Sequence, residues 1–216
     1  MPLHDRIAIR WSSRDPEAVA AQWRGYGFTV AADRRIVFPS ATMEIEAGTA
    51  GEDRLAFRDD PEPRAGPARP HANGIADVLA IGWATVDRER FAGDARSGPL
   101  QALPDDPHLG AFVVRQGTGR PYALVLEPET EGRLAASLVR FGEGPAAVYL
   151  RCGPGGLAAF VDDARRRGSA VSVIRSGPLG PSVLLLGGPA WGPHVLVVEA
   201  PADVLAEVPP PGTIAG

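Results

Sequence analysis

The sequence predicts an α+β protein built from repeated βαβββ modules, and three observations predict it. The stretch from Phe141 to Ala200 reads as a strand, a helix and three strands in that order. The same order recurs from Arg6 to Gly48 and, more loosely, from Ile75 to Pro128. The three units also end alike. MEIEAG, LVLEPE and LVVEAP each close a strand with an apolar residue, then Glu46, Glu127 or Glu199, then Ala or Pro. Recurrence of a whole unit says more about architecture than any single motif, because each unit needs a neighbour to bury its apolar face.

The last unit is the clearest. Val148–Cys152 is a short apolar strand. Leu157, Phe160, Val161 and Ala164 follow at helical spacing, with Asp and Arg on the opposite face. Arg165, Arg166 and Arg167 before Gly168 suit a helix end, since cations favour the negative end of the dipole and Gly accepts a left-handed turn. Ala170–Ile174, Ser182–Leu186 and Val195–Val198 read as its three further strands, punctuated by Gly and Pro.

The first unit opens with the strand IAIRW. Asp15 is placed as an N-cap and Pro16 at the first helical position. Val19, Trp23 and Tyr26 form the apolar stripe, and Gly27 marks the end. TVAADRRIVFPSATMEIEAG reads as three strands, with Ile36–Phe38 and Met43–Glu46 pairing across Pro39–Ser40. On the last of these, Met43 and Ile45 face one side, Glu44 and Glu46 the other. Leu55–Phe57 can add one more strand. Pro61, Pro63, Pro67 and Pro70 then mark a linker.

In the middle unit, Ile75–Ala84 is a strand and Asp87 caps the short helix RERFAGDA. Leu100–Pro107 reads as a Pro- and Asp-rich loop, and Ala111–Val114 with Tyr122–Leu126 as a hairpin around Gly117–Gly119. Thr130 is placed to cap a helix carrying Leu134, Leu138 and Phe141 on one face. The expected organisation is a module over residues 1–60, a linker over 61–74 and paired modules over 75–200. Those are 75–128 and 141–200, joined by a helix over 130–141, and an irregular tail fills 201–216.

Composition narrows the function. The net charge of -4 supplies no basic footprint for nucleic acid. Arginine is used throughout in place of lysine, which with so much Ala, Gly and Pro fits a GC-rich coding bias more than a binding function, although arginine also grips carboxylates bidentately. A single cysteine, Cys152, excludes an internal disulfide and a cysteine-rich zinc site. It sits on an apolar strand, which favours a buried structural thiol. No apolar run approaches the ~20 residues that cross a bilayer as a helix, and MPLHDR lacks a signal-peptide core, so a cytoplasmic address is the default expectation.

These segments resemble the vicinal oxygen chelate superfamily, the relatives of glyoxalase, bleomycin-resistance proteins and extradiol dioxygenases. The resemblance is carried by VLAIGWATVDRERF, LVLEPETEGRLAASLVRFGEGPAAVYLRC, FVDDARRRGSAV, DPEAVAAQWRGYGFTV and RIVFPSATMEIEAG. It implies paired modules whose curled mixed sheets form a cup around a small-molecule site. It also implies a divalent metal held by a His, Gln or Glu on first strands and a Glu on fourth strands. Matched position by position, the first-strand ligand of the last module falls on Ala147, and its fourth-strand counterpart near Val197. In the middle module the positions fall near Asp77 or Ala80 and near Val125. In the first module the first-strand position falls on Arg6, with His4 two residues away. Only Glu44 stands where the family pattern puts a ligand. One carboxylate is not a site, since a catalytic metal takes about three protein ligands.

Other candidates follow from the residues themselves. Arg10 and Arg151 hold comparable places on two first strands and can reach into a cup to bind a carboxylate, against a solvated outer face. Trp11, Trp83 and Trp191 can stack on a flat ligand or simply fill a core. His194 beside Trp191 can line a cup mouth or be structural. His71 and His108 fall in a linker and a loop and are expected to be solvated. The GPGG turn at Gly153–Gly156 can hold an anion on a helix N-terminus or be a plain turn.

The leading expectation is a glyoxalase-like small-molecule binding protein that lacks the usual metal and any cofactor. Its candidate ligand-binding residues are Arg10, Glu44, Trp83, Arg151, Trp191 and His194. The alternatives are a metal-dependent glyoxalase-, dioxygenase- or isomerase-like enzyme using Glu44, and a non-catalytic structural or regulatory dimer. The expected partners are a small-molecule ligand and a second copy, the latter to cover the unpaired sheet of an odd first module, with no nucleic acid and no membrane.

Overall fold

The computed structural model describes residues 7–48, 53–59, 70–94, 100–119, 121–129, 131–153, 155–188 and 192–200. The first unit runs β1 (Ile7–Ser13), α1 (Pro16–Gly25), β2 (Arg35–Val37), β3 (Ala41–Ala47) and β4 (Arg54–Asp59). The second runs β5 (Ile75–Ala84), α2 (Arg88–Asp94), β6 (Leu100–Asp106), β7 (Ala111–Gln116) and β8 (Tyr122–Pro128). Helix α3 (Arg133–Phe141) leads into the third, β9 (Gly144–Cys152), α4 (Gly156–Arg166), β10 (Arg175–Gly177), β11 (Gly180–Leu184) and β12 (His194–Val198). The second and third units are βαβββ; the first is βαββ followed by β4, which pairs antiparallel with β1.

The strands form two mixed sheets. The first has the order β2-β3-β1-β4 and the second β10-β11-β12-β9-β5-β8-β7-β6. In the second, the two first strands β5 and β9 meet antiparallel at the centre, and each pairs on its other side in parallel with the last strand of its own unit. The sheet curls until its edges, β6 and β10, touch. Side chains staple that seam. Arg175 donates to the Pro107 carbonyl at 3.2 Å, and His108 Nε2 donates to the Ser182 carbonyl at 3.1 Å.

Two cores follow from strand alternation. Outside the curled sheet, Val148, Leu150 and Cys152 of β9 face Leu157, Phe160, Val161 and Ala164 of α4. The apolar face of the first sheet (Ile7, Ile9, Trp11, Met43, Ile45) and α1 close the same core. Inside the curl lies a second core of Leu124, Leu126, Tyr149, Leu184, Leu196 and Leu134 of α3. Tyr149 is buried there, donating to Asp106 Oδ2 at 2.8 Å, and the same carboxylate accepts from the His108 and Leu109 amides.

Local signals act as read at several places. Asp15 accepts from the Ala18 amide at 2.9 Å ahead of Pro16, a cap that contributes about 1 kcal/mol. Asp87 does the same for Arg90 at the start of α2. Gly168 takes φ 74° after α4, as the Arg-Gly ending requires. The shared glutamates have a common cause. Glu127 accepts from the Arg88 amide at the start of α2, and Glu199 from the Gly155 and Leu157 amides at the start of α4. Each last strand thus delivers a carboxylate to the positive end of its own module's helix. Glu46 instead accepts from the Ser12 hydroxyl, and α1 is capped by Asp15.

Several expectations are corrected. Residues 100–106 are a strand, not a loop, because they pair with β7 despite two prolines nearby. Of three strands expected after α1, two form. Ala170–Ile174 makes only an isolated bridge at Val171, and the ladder begins at Arg175. Helix α3 starts after Gly132; Thr130 lies outside the described residues. His71 is buried against Phe28 and Phe38 rather than solvated, and its Nδ1 accepts from the Thr29 amide. Burial pushes its pKa down. His108 is part-buried at the seam rather than solvated. Most of the expected linker, the expected tail, His4, Arg6 and Trp191 lie outside the described residues. On its outer side β1 pairs with β4.

Candidate functional site

The interior of the curled sheet is where the family resemblance places a metal, and here it is filled. Ala147 has Gly82 as its neighbour on β5 and His194 on β12. A Cβ added at Gly82 would lie 2.6 Å from Leu126 Cδ1 and 3.1 Å from the Ala147 Cβ. Hydrocarbon therefore fills the space beside Ala147, where His194 is the one ligand-type side chain among these neighbours. In the first sheet, Glu44 lies on the helix-free face as expected, but its cross-strand neighbours are Arg10 and Arg35. Two guanidinium groups beside one carboxylate oppose a cation electrostatically. Among the described residues no group of three or more His, Cys, Asp or Glu is placed to hold a metal ion.

A cavity of about 130 Å3 opens instead between β4 and the end of α3. Leu55, Ala84, Phe141, Pro145, Ala146 and Pro193 make its apolar walls, and Asp53, Arg54, Ser137 and Glu143 its polar groups. The turn between α3 and β9 shapes it. Gly142 and Gly144 take φ 75° and 150°, which directs Glu143 back onto the start of α2. Glu143 accepts from Thr85 Oγ1 at 2.7 Å and the Val86 amide at 2.9 Å, and Arg90 grips both its oxygens. The Arg90 guanidinium holds its carboxyl down to about 2. Arg54 lies over the Phe141 ring, 5.3 Å from its centroid.

Ser137 brings His194 to this cavity. Its Oγ donates to the Arg133 carbonyl at 3.1 Å and lies 3.0 Å from His194 Nε2. Burial, aided by the Arg133 charge, pushes His194 down to about 4, so it is neutral at pH 7 and ill suited to carry a proton. A smaller chamber of about 20 Å3 lies across Pro193, bounded by Trp11, Gln22, Tyr26 and Val195 among others.

Of the expected site residues, only His194 reaches the cavity, through Ser137. Arg10 and Glu44 sit together on the first sheet, Nε to Oε2 at 4.0 Å. Arg151 is at the opposite end of β9 from Ala146, about 16 Å along the strand. Trp83 faces away from the curl, packed between Phe57 at 5.9 Å and Phe91 at 6.4 Å. Trp191 lies outside the described residues. Cys152 is a buried thiol donating to the Val198 carbonyl, and burial pushes it up to about 11. The GPGG turn is served by the chain's own Glu199. Asp53, Arg54, Ser137 and Phe141 were missed. They come from two distant segments, and no spacing in sequence joins them.

No family model matches the sequence, and no curated protein does. Solved structures do match. Methylmalonyl-CoA epimerase from Mycobacterium tuberculosis aligns with TM-score 0.52 and 19% identity, over 62% of this chain and 95% of that one. A hypothetical protein from Bacillus halodurans aligns with TM-score 0.48 and 18% identity, over 58% and 94%. A 4-hydroxymandelate synthase variant from Streptomyces coelicolor aligns with TM-score 0.36 and 10% identity, over 90% and 69%.

Proposed function

We propose that this chain, which has the vicinal oxygen chelate fold, is a small-molecule binding protein that works without the divalent metal of the fold's enzymes. The cavity of about 130 Å3 at the α3–β9 turn carries the reading. Its volume is near that of an engineered cavity that holds benzene. Apolar walls with a few converging polar groups are the usual make-up of a ligand site. The filled interior at Gly82, Leu126 and Ala147 supports a site without metal, as does the pairing of Glu44 with arginines.

Two measurements on the full chain test it. Benzene-sized probes are expected to raise the melting temperature, because a ligand at 100 times its Kd stabilises by about 2.7 kcal/mol. Protein purified without chelator is expected to carry no stoichiometric zinc, iron, nickel or manganese. Stoichiometric metal would overturn the metal-free reading and favour an enzyme using Glu44. A complete absence of thermal shifts would overturn the binding reading and favour a structural or regulatory role, which the filled interior also suits.

A further inference from the structure

Trp11 is 5% exposed, and its indole Nε1–H is buried without a hydrogen-bond partner. Buried donors are nearly always satisfied, so an orphan marks a place for an acceptor. Trp11 borders the chamber of about 20 Å3. Its polar neighbours there are already engaged. The Tyr26 hydroxyl donates to the Ala170 carbonyl at 2.7 Å and accepts from the Gly187 amide at 3.1 Å, and Gln22 is bonded to Tyr26.

This chamber adjoins the larger cavity. Pro193 is a wall of both. Leu55, a wall of the larger, is the cross-strand partner of Trp11. We propose that the two chambers are the two ends of one site for a small neutral ligand. Its apolar body fills the larger chamber, and a carbonyl oxygen at its end accepts the Trp11 indole N–H. The proposal rests on the larger cavity being the ligand site. The ligand is neutral because Asp53 offsets Arg54 in that cavity and Arg90 already holds Glu143, which leaves no net charge for an ion to meet. An aldehyde or ketone oxygen is an acceptor without charge.

A single water also fits the small chamber by volume, and the test must exclude it as the sole occupant. Acetophenone and ethylbenzene share shape and differ in the carbonyl oxygen. Both are titrated into the full chain carrying 15N-labelled tryptophan. Acetophenone is expected to bind roughly 10-fold tighter, the worth of one buried hydrogen bond. It should shift one indole resonance, identified by its loss in Trp11→Phe, while ethylbenzene leaves that resonance in place. In Trp11→Phe the preference should fall to about 1.

Equal binding of the two probes by the native chain overturns the carbonyl assignment and leaves the cavity as a site. Binding of neither overturns both. A preference that persists in Trp11→Phe overturns the assignment and leaves water as the partner of the indole. Should Trp11→Phe fail to fold, seen as loss of ethylbenzene binding, the resonance shift in the native chain decides.

Discussion

Gly82→Ala tests whether the interior of the curled sheet has room. The new Cβ would lie 2.6 Å from Leu126 Cδ1 and 3.1 Å from the Ala147 Cβ, both closer than carbon atoms settle. Leu126 and Ala147 are fully buried, so relief requires Leu126 to turn within a packed core. Overpacking of this kind costs about 1–3 kcal/mol. The loss of glycine freedom in the unfolded chain returns about 0.4–1 kcal/mol. The net is a destabilisation of about 1–2 kcal/mol, because the crowded atom is the movable end of a leucine. For a chain of this size that lowers the melting temperature by ~2–8 °C. Leu126→Ala alone should cost about 2–5 kcal/mol through the cavity it leaves. The double variant places the new methyl in vacated space, so its cost should undercut the sum of the singles by about 1 kcal/mol or more. Urea unfolding of the four proteins supplies the cycle. A neutral Gly82→Ala with an additive double variant would show slack at the centre, and the case against a ligand or ion there would fail.

His194 makes stability pH-dependent. Its folded pKa, pushed down to about 4, lies below the unfolded value of about 6.5, so the unfolded chain binds the proton first. The stabilisation is complete above pH 6.5 and is lost as pH falls toward 4, up to about 3 kcal/mol across the window. His71, also lowered, acts in the same sense; Asp106, raised by burial, acts in the opposite one. The decisive comparison is the urea midpoint of the native chain and His194→Gln at pH 7.5 and 5, where the variant should lose less. Glu199→Ala uncaps α4 and should cost about 0.5–2 kcal/mol, read by urea unfolding. Tyr149→Phe leaves Asp106 buried with one donor fewer and should cost about 1–3 kcal/mol by the same assay. Glu143→Gln removes the charge that Arg90 grips and should speed hydrogen exchange at the Val86 amide, which Glu143 now holds at 2.9 Å.

The fold was legible where local chemistry repeats. The stripe Leu157, Phe160, Val161, Ala164 is the buried face of α4 residue for residue, because period and polarity agree there. The shared endings at Glu127 and Glu199 were visible as a repeat, although their cause, a carboxylate meeting a helix start, needs three dimensions. Strand β6 was hidden because Pro104 and two aspartates read as a loop, yet an edge strand tolerates proline. The candidate site was scarcely legible. Arg54 and Phe141 are 87 positions apart and meet only because β4 folds beside β1 and the α3 turn meets it. Register was the other loss. The fourth-strand neighbour of Ala147 is His194, not Val197, and no sequence pattern states that offset.

The position of the cavity follows from how the odd module is completed. In the curled sheet, β5 gains β9 as an antiparallel neighbour, so each module supplies the other's missing edge. The first module has no such partner, and β4 takes that place beside β1, antiparallel in the same way. A single strand satisfies the edge but brings no second sheet. The helix-free face carrying Arg10, Glu44 and Arg35 is therefore half a cup, with no opposing wall to enclose a ligand. The full cup is enclosed, but α3 contributes Leu134 to its core and Leu126 closes its floor. What remains is the gap where the added strand meets the α3 turn, at Leu55, Phe141 and Pro145. Such a gap is bounded by two modules that do not share a ladder, so its shape can change without breaking backbone pairing. Ligand-dependent change is expected there rather than in the sheets.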